Sequence, residues 1–232
     1  ALLSHYEARL RGLFPKLAPV RIWIPMFQPA GSPMPMFASP YLFAIAYDTS
    51  GASQSASGSE TSGTLSLTIA SGASLWAGIA STVDIDTSSV VWKTSETCTK
   101  AIRRFQSCFL SDSIYYLANP TSGAHSITLT FASGKEFSIL GMSLTGAATA
   151  PLGATGGNGA ASSTDSTVTV ATTAANSVVV DMTTVNGNQA LTATGSGQTI
   201  RQDYAHTISS GWEDGMSTMT TTTTGNYVPA YS

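Results

Sequence analysis

The sequence predicts an all-β protein, an antiparallel β-sandwich of the jelly-roll type that follows an extended N-terminal arm. The 232-residue chain contains 33 Ser and 32 Thr but only 10% charged residues, whereas soluble proteins average about 25% charged residues. Short segments of alternating apolar and hydroxyl side chains recur along the chain, as half-buried strands require. Turn residues such as Gly, Asn and Pro separate these segments.

The same composition argues against several other classes of protein. Helix bundles, coiled coils and cationic nucleic-acid binders need abundant Lys, Arg or Glu, and the formal net charge here is only −3. Bulk disorder is disfavoured because 42% of the residues are hydrophobic, which is enough to build a core. No segment approaches the roughly 18 apolar residues of a membrane-spanning helix. We therefore expect neither a nucleic-acid partner nor a membrane partner.

The composition changes near residue 40, which separates an arm at 1–40 from a β-sandwich domain at 41–232. The arm has four basic residues and one acidic residue, a net charge of +3. The domain has six basic and twelve acidic residues, a net charge of −6. Seven of the ten prolines lie in the arm, and proline disfavours both helix interiors and central strands. We therefore expect a basic, proline-rich and extended arm.

A short helix is expected near the start of the arm, at about 5–14. Ser4 and Glu7 have capping-box spacing, and Pro15 and Pro19 end the helix. The apolar stretch that follows cannot bury its large side chains by itself, so it must lie on its own domain or on another molecule. Exposed aromatic and Met-rich surface usually marks an interface. The expected assembly residues are Arg9, Arg11, Arg21, Trp23, Met26, Phe27 and Phe37.

The domain is expected to consist of many short strands. An apolar, β-prone run predicts the first strand at 41–47, and a loop rich in Gly, Ser and Ala is expected at 49–63. Alternation with period two is clearest at 64–69, Thr-Leu-Ser-Leu-Thr-Ile. The same pattern predicts strands at 74–81, 88–93, 113–117, 126–131, 137–144, 167–171, 177–184, 190–194, 199–204 and 216–224. Turns are expected at 119–123, 133–135, 156–159, 186–188 and 195–197.

The run Asp112–Phe131, DSIYYLANPTSGAHSITLTF, resembles the core of a recurrent β-sandwich domain. That domain occurs in phage structural and tail proteins and in secreted bacterial and archaeal surface proteins. Segments 143–146 and 149–153 resemble a later part of it, and 197–199 resembles its late turn. The likeness covers about 41–228, and the arm has no counterpart in the pattern. The resemblance implies a scaffold or surface module and supplies no catalytic residues.

Candidate chemical groups are few. The three histidines stand apart, without a second His or Cys at a metal-ligand spacing, so neither a metal nor another cofactor is expected. His206 lies near Asp203 in the sequence, but a nucleophile-elbow motif that would complete a catalytic triad is missing. Asp84 and Asp86 could offer oxygen atoms to Ca²⁺, although a solvated strand end is the simpler interpretation. No catalytic residue is assigned, and we do not expect an enzyme.

One loop edge is a candidate ligand-facing surface. Trp212 would supply an aromatic platform, and Asp214 and Tyr204 would supply polar groups beside it. An aromatic ring next to carboxylates suits a carbohydrate ligand. The alternative interpretation is a loop that holds a half-buried Trp.

The two cysteines leave two arrangements open. Cys98 and Cys108 could face each other across a hairpin that turns near Ile102–Arg104, or they could remain separate thiols, which we favour. Arg103 and Arg104 carry too few charges to form a nucleic-acid surface. They are expected at an exposed hairpin tip or in contact with an acidic neighbour.

Together these features predict a virion structural protein, either a capsid decoration or cement protein or a tail-associated subunit. It would assemble through its arm as a homo-oligomer, with copies of itself and other virion structural proteins as partners. The alternative is a secreted surface protein, an adhesin or a glycan-binding module that acts outside the cell. A variant of this alternative is an extracellular filament in which the arm completes a neighbour's sheet.

Overall fold

The structure, a computed structural model, describes residues 45–55, 57–82, 87–106, 110–147, 152–158, 166–208 and 211–232. These ranges contain sixteen strands and no helix. All the strand pairs within them are antiparallel. The expectations for the arm, including its helix and its assembly residues, fall outside the described residues, as do those for Asp84, Asp86 and Cys108.

The strands in chain order are β1 (Ala46–Gln54), β2 (Glu60–Ile69), β3 (Ala73–Thr82), β4 (Thr87–Trp92), β5 (Glu96–Thr97), β6 (Thr99–Gln106), β7 (Leu110–Leu117), β8 (Gly123–Lys135), β9 (Phe137–Thr145), β10 (Ser166–Thr167), β11 (Val170–Thr172), β12 (Ser177–Asn186), β13 (Gln198–His206), β14 (Trp212–Thr221), β15 (Gly225–Tyr227) and β16 (Ala230–Tyr231).

Three larger sheets account for most of these strands. The central sheet has the order β1-β9-β3-β7-β6, the four-stranded sheet has the order β2-β8-β4-β5, and the three-stranded sheet has the order β12-β14-β13. Two short ribbons, β10-β16 and β11-β15, involve the C-terminal residues. Neighbouring strands in each sheet are often distant in sequence, so long-range pairing determines the topology.

The central sheet is covered on both faces. Nearly every residue of β3 and β9 is buried, and successive side chains of a strand point to opposite faces. Leu75 and Ile139 belong to the apolar core shared with the four-stranded sheet. Trp76 and Met142 belong to a second apolar cluster that includes Met216 of the three-stranded sheet. By contrast, β2 alternates between buried and exposed residues, so one face of the four-stranded sheet meets solvent.

Glycines allow the sheets to approach closely at both interfaces. A Cβ atom at Gly63, in the four-stranded sheet, would lie 2.3 Å from the ring of Phe137 in the central sheet. At the second interface, a Cβ atom at Gly78 would lie 2.6 Å from the sulfur of Met182. Both distances are too short for real carbon contacts, so the sheets can pack this closely only because glycine has no side chain.

Many of the predicted strands are confirmed. The segments 64–69, 74–81, 137–144, 177–184 and 199–204 lie within β2, β3, β9, β12 and β13. The segment 64–69 alternates between buried and exposed residues, whereas 74–81 and 137–144 are buried on both faces. The expectation of an all-β, antiparallel domain is therefore correct for the described residues.

Three local expectations were wrong. Most of the expected loop at 49–63 belongs to β1 and β2, because backbone hydrogen bonds to β9 and β8 hold these small residues in sheets. The expected turn at 133–135 is the end of β8. The hairpin turn at 102–104, one of the two arrangements left open for the cysteines, is ruled out because this segment is the middle of β6, which pairs with β7, so Arg103 and Arg104 are strand residues. The expected strand at 190–194 makes only an isolated bridge, from Ala193 to Tyr231.

Candidate functional site

A polar layer crosses the apolar interface between the central and three-stranded sheets. In the central sheet, Ser138 and Asp112 flank Ala80 as its register partners on β9 and β7. In the facing sheet, Thr184 and Asp214 are register partners on β12 and β14. The interface is otherwise lined by side chains such as Met, Leu and Val. We call Asp112, Ser138, Thr184 and Asp214 the polar layer.

Asp214 is the centre of this layer. Thr184 Oγ1 donates to its Oδ1 at 2.7 Å, and Trp212 Nε1 donates to its Oδ2 at 2.8 Å. The Ser138 hydroxyl also donates to Oδ2. Asp214 is 0% exposed, and burial raises the pKa of its carboxyl group to about 7 despite these three donors. The negative charge of Asp112 contributes to the same rise.

Asp112 has a less complete set of partners. Burial raises its pKa to about 6, and its interaction with the Thr184 hydroxyl group opposes that rise. Its Oδ1 atom is buried and has no hydrogen-bond partner among the described residues. Thr184 therefore lies between two buried carboxyl groups, of which only Asp214 is fully hydrogen-bonded. A buried acceptor without a donor is costly.

A cleft of about 810 Å³ lies beside Asp112, between the central sheet and β12. Its apolar walls include Trp76, Ile114, Leu152, Val178, Val180 and Met182. Arg104 and Asp112 are the charged residues on the central-sheet side of the cleft. β12, the edge strand of the three-stranded sheet, contacts β7. Parts of the segments 152–158 and 167–177 also line the cleft.

The residues expected at a ligand-facing loop edge do come together, but on strands. Tyr204 of β13 is the register partner of Asp214, and Trp212 lies two residues earlier on β14. Trp212 is 1% exposed and Tyr204 is half-buried. The placement at an exposed loop edge is therefore corrected, because β14 is the middle strand of its sheet. The side chains of Trp212 and Asp214 therefore pack in the interior of the protein and do not form part of an external surface.

His206 lies in the same interior region. Its ring stacks on Trp212 with 3.6 Å between the ring centroids, and its Nδ1 atom is 3.5 Å from Oε1 of Glu136. Burial lowers the pKa of His206, which favours the neutral imidazole. Asp203, considered with His206 in the sequence, is exposed on β13, and the two serines that follow His206 at 209–210 fall outside the described residues.

The opposite face of the three-stranded sheet contains a further buried acid. Asp181 of β12 accepts a hydrogen bond from the Ser217 hydroxyl and one from Tyr231 Oη, the latter at 2.6 Å. Burial raises the pKa of Asp181. Burial also raises the pKa of Glu213 to about 7, with a contribution from Asp203. Asp181 was missed at the level of sequence, although it directly follows three valines, where a solvated charge is unexpected.

Other groups offer little chemistry. Cys98 is a buried free thiol, and burial raises its pKa to about 12, so it stays protonated and weakly nucleophilic. Among the described residues, no group of three or more His, Cys, Asp or Glu could hold a metal ion. The described part of the chain also contains no helix of the length and apolarity needed to cross a membrane. The polar layer can hold and release protons, and the cleft can accept a ligand.

Comparison with known proteins adds no relative. No family model matches this chain, and no curated protein or solved structure matches it. The resemblance carried by Asp112–Phe131 therefore remains a prediction from the sequence. In the structure, that run forms the end of β7, a turn and the first part of β8, so it connects the central sheet to the four-stranded sheet.

Proposed function

We propose that this chain is a virion structural subunit, a capsid decoration or cement protein or a tail-associated subunit, that acts through assembly contacts of the arm. The observation that carries the proposal is the contrast within the sequence: a net charge of +3 at 1–40 and of −6 in the rest of the chain. Opposite charges favour association between the arm of one copy and the domain of another. The apolar residues of the arm, such as Trp23 and Phe27, would supply the buried contact area.

The proposed partners are copies of the same chain and other virion structural proteins, and the proposed location is the virion. Each arm contact alone would be weak. A homo-oligomer arranged around a symmetry axis presents many such contacts at once, which multiplies their effect. This mechanism needs no catalytic group, and we propose that the chain is not an enzyme.

We also propose that the domain at 41–232 is a β-sandwich of the jelly-roll type. The shared core of the four-stranded and central sheets supports this assignment, with Leu67, Trp92 and Ile127 on one sheet and Leu75 and Tyr115 on the other. The three-stranded sheet would be an addition to such a sandwich. A rigid domain of this kind suits a subunit that projects from a shell.

The experiment that tests the assembly role uses the full chain with a changed arm. The arm variant carries Arg9→Glu, Arg11→Glu, Arg21→Glu, Trp23→Ala and Phe27→Ala. We expect it to remain folded but to lose its higher oligomers in native mass spectrometry and its incorporation into particles in electron microscopy. The control variant, Lys93→Glu with Val228→Ala, changes exposed residues of the domain and should assemble normally. Normal assembly of the arm variant would contradict the proposal.

A second candidate function is a secreted surface or adhesin module that binds a ligand. The cleft beside Asp112 is the observation that favours it. Its glycan-directed form is less favoured, because Trp212 and Asp214 are buried. Selective binding on a glycan array by a full-length chain that stays monomeric would favour this candidate over the virion subunit.

A further inference from the structure

We propose that the cleft between the central sheet and β12 binds an amphipathic primary amine, with its apolar body against the cleft walls and its ammonium group at Asp112. This inference goes beyond the assembly role and does not depend on it. The ligand is defined by its chemistry, an apolar body that ends in a cationic donor.

The walls of the cleft determine the body of the ligand. Trp76 and Ile114 line it from the central sheet, and Val178, Val180 and Met182 line it from β12. The cleft volume, about 810 Å³, lies in the range of roughly 300–1,000 Å³ that is typical of small-molecule sites. Transfer of apolar surface from water to such walls is favourable by about 25 cal/mol per Å². An aliphatic chain therefore suits the cleft better than a carbohydrate, which would leave many hydroxyl groups unpaired.

Asp112 determines the head group. Asp112 lines the cleft, and Asp214 lies close enough for the two charges to interact. A cationic donor beside Asp112 would offset the negative charge of both carboxyl groups. A carboxylate head group would be repelled by the same pair. An alcohol could donate one hydrogen bond but would leave the charge uncompensated.

Arg104 does not already fill this role. It is the register partner of Asp112 on β6, but no ion pair joins the two side chains in the described structure. Its side chain packs instead against Gly157, where an added Cβ atom would lie 2.2 Å from Arg104 Nε. Arg104 is also exposed, so water screens its charge more than that of the buried carboxyl group.

The test is isothermal titration calorimetry of the full-length protein at pH 8 with three matched probes: n-octylammonium, n-octanol and octanoate. We expect the amine to bind at least about tenfold more tightly than the alcohol, as a charge-assisted hydrogen bond to a buried group implies. Octanoate should bind most weakly. Asp112→Asn should bring the amine affinity down to that of the alcohol, whereas Asp203→Asn, on an exposed residue, should leave the preference unchanged.

A second variant keeps the test decisive if Asp112→Asn fails to fold. Val178→Trp, at a half-buried position in the wall, should fill the cleft and weaken all three probes by tenfold or more without loss of the folding transition. Equal affinity of wild type for amine and alcohol would overturn the proposal. Amine binding that both variants leave intact would also overturn it. Absence of binding to the wild type at millimolar probe concentration would overturn it as well, and this is the result expected if an arm from another copy occupies the cleft.

Discussion

Two neighbouring aspartates show how burial changes the chemistry of single residues in this protein. Asp112 and Asp214 lie in an interface that is mainly apolar, so their ionised forms lose hydration that the surroundings replace only in part. Their pKa values rise to about 6 and about 7. The folded state therefore holds protons that the unfolded chain releases at lower pH.

The first prediction concerns the pH dependence of stability. When the pKa of an Asp is higher in the folded state than in the unfolded state, where it is near 3.8, the group contributes its full stability below the unfolded-state pKa. That stability is lost as the pH rises through the folded-state pKa. We expect the free energy of unfolding to fall by about 4 kcal/mol between pH 5 and pH 8 on account of these two groups. Urea unfolding across this pH range measures the effect.

Asp214→Asn is the control for this prediction. His206, with its lowered pKa, acts in the opposite sense, since its contribution is lost as pH falls below its unfolded value near 6.5. The difference between wild type and Asp214→Asn removes the histidine term. A pH slope that is the same in both proteins would show that Asp214 does not titrate as described.

The second prediction concerns the C-terminal tyrosine. Tyr231 is buried and donates to Asp181 at 2.6 Å, so Tyr231→Phe would leave the carboxyl group with one donor fewer. We expect a loss of about 1–3 kcal/mol in the free energy of unfolding, measured by urea denaturation. Tyr227→Phe is the matched control, because its hydroxyl bonds only to exposed Thr223. Equal effects of the two changes would mean that Asp181 gains nothing from Tyr231.

At the scale of elements, the central sheet depends on strands that are buried on both faces. β3 and β9 carry apolar side chains toward both neighbouring sheets. Small residues are needed wherever a large side chain from the facing sheet reaches the backbone. Gly63, opposite Phe137, is the clearest case.

The third prediction follows from this contact. Gly63→Ala places a methyl group 2.3 Å from the Phe137 ring, and Phe137 is fully buried, so the sheets must move apart locally. We expect a destabilisation of about 1–3 kcal/mol, as overpacked cores show. Gly58→Ala is the control, since its added Cβ atom would meet nothing within 4 Å. A Gly63→Ala protein as stable as the control variant would contradict the close approach of these sheets.

Strands were predictable where apolar residues recur along the segment, both in β2, which has one wet face, and in β3 and β9, which are buried on both faces. Segment 64–69 alternates because its outer face is wet, and it forms part of β2. β1 and β6 were missed because small or charged residues interrupt their alternation, and partner strands hold them in place. For the site, the sequence singled out Tyr204, Trp212 and Asp214 as neighbours, which they are. Their burial depends on the central sheet lying over β14, and no local pattern encodes that packing.

At the scale of the whole molecule, the described domain is polar without being highly charged. Hydroxyl side chains cover the exposed faces, while buried acids and apolar residues fill the spaces between sheets. In the proposed virion subunit, this domain provides the rigid mass and the arm provides the attachment. The arm is thus the part whose contacts determine whether the proposal holds.

Cross-linking of isotope-mixed particles tests this claim most directly. The chain is prepared in ¹⁴N and ¹⁵N forms, the two are mixed before assembly, and lysines are cross-linked and identified by mass spectrometry. Lys16 is the only lysine within 1–40, so its links report the position of the arm. We predict links from Lys16 to domain lysines that join one light and one heavy chain. Links from Lys16 that always join residues of a single isotope form would contradict assembly through the arm.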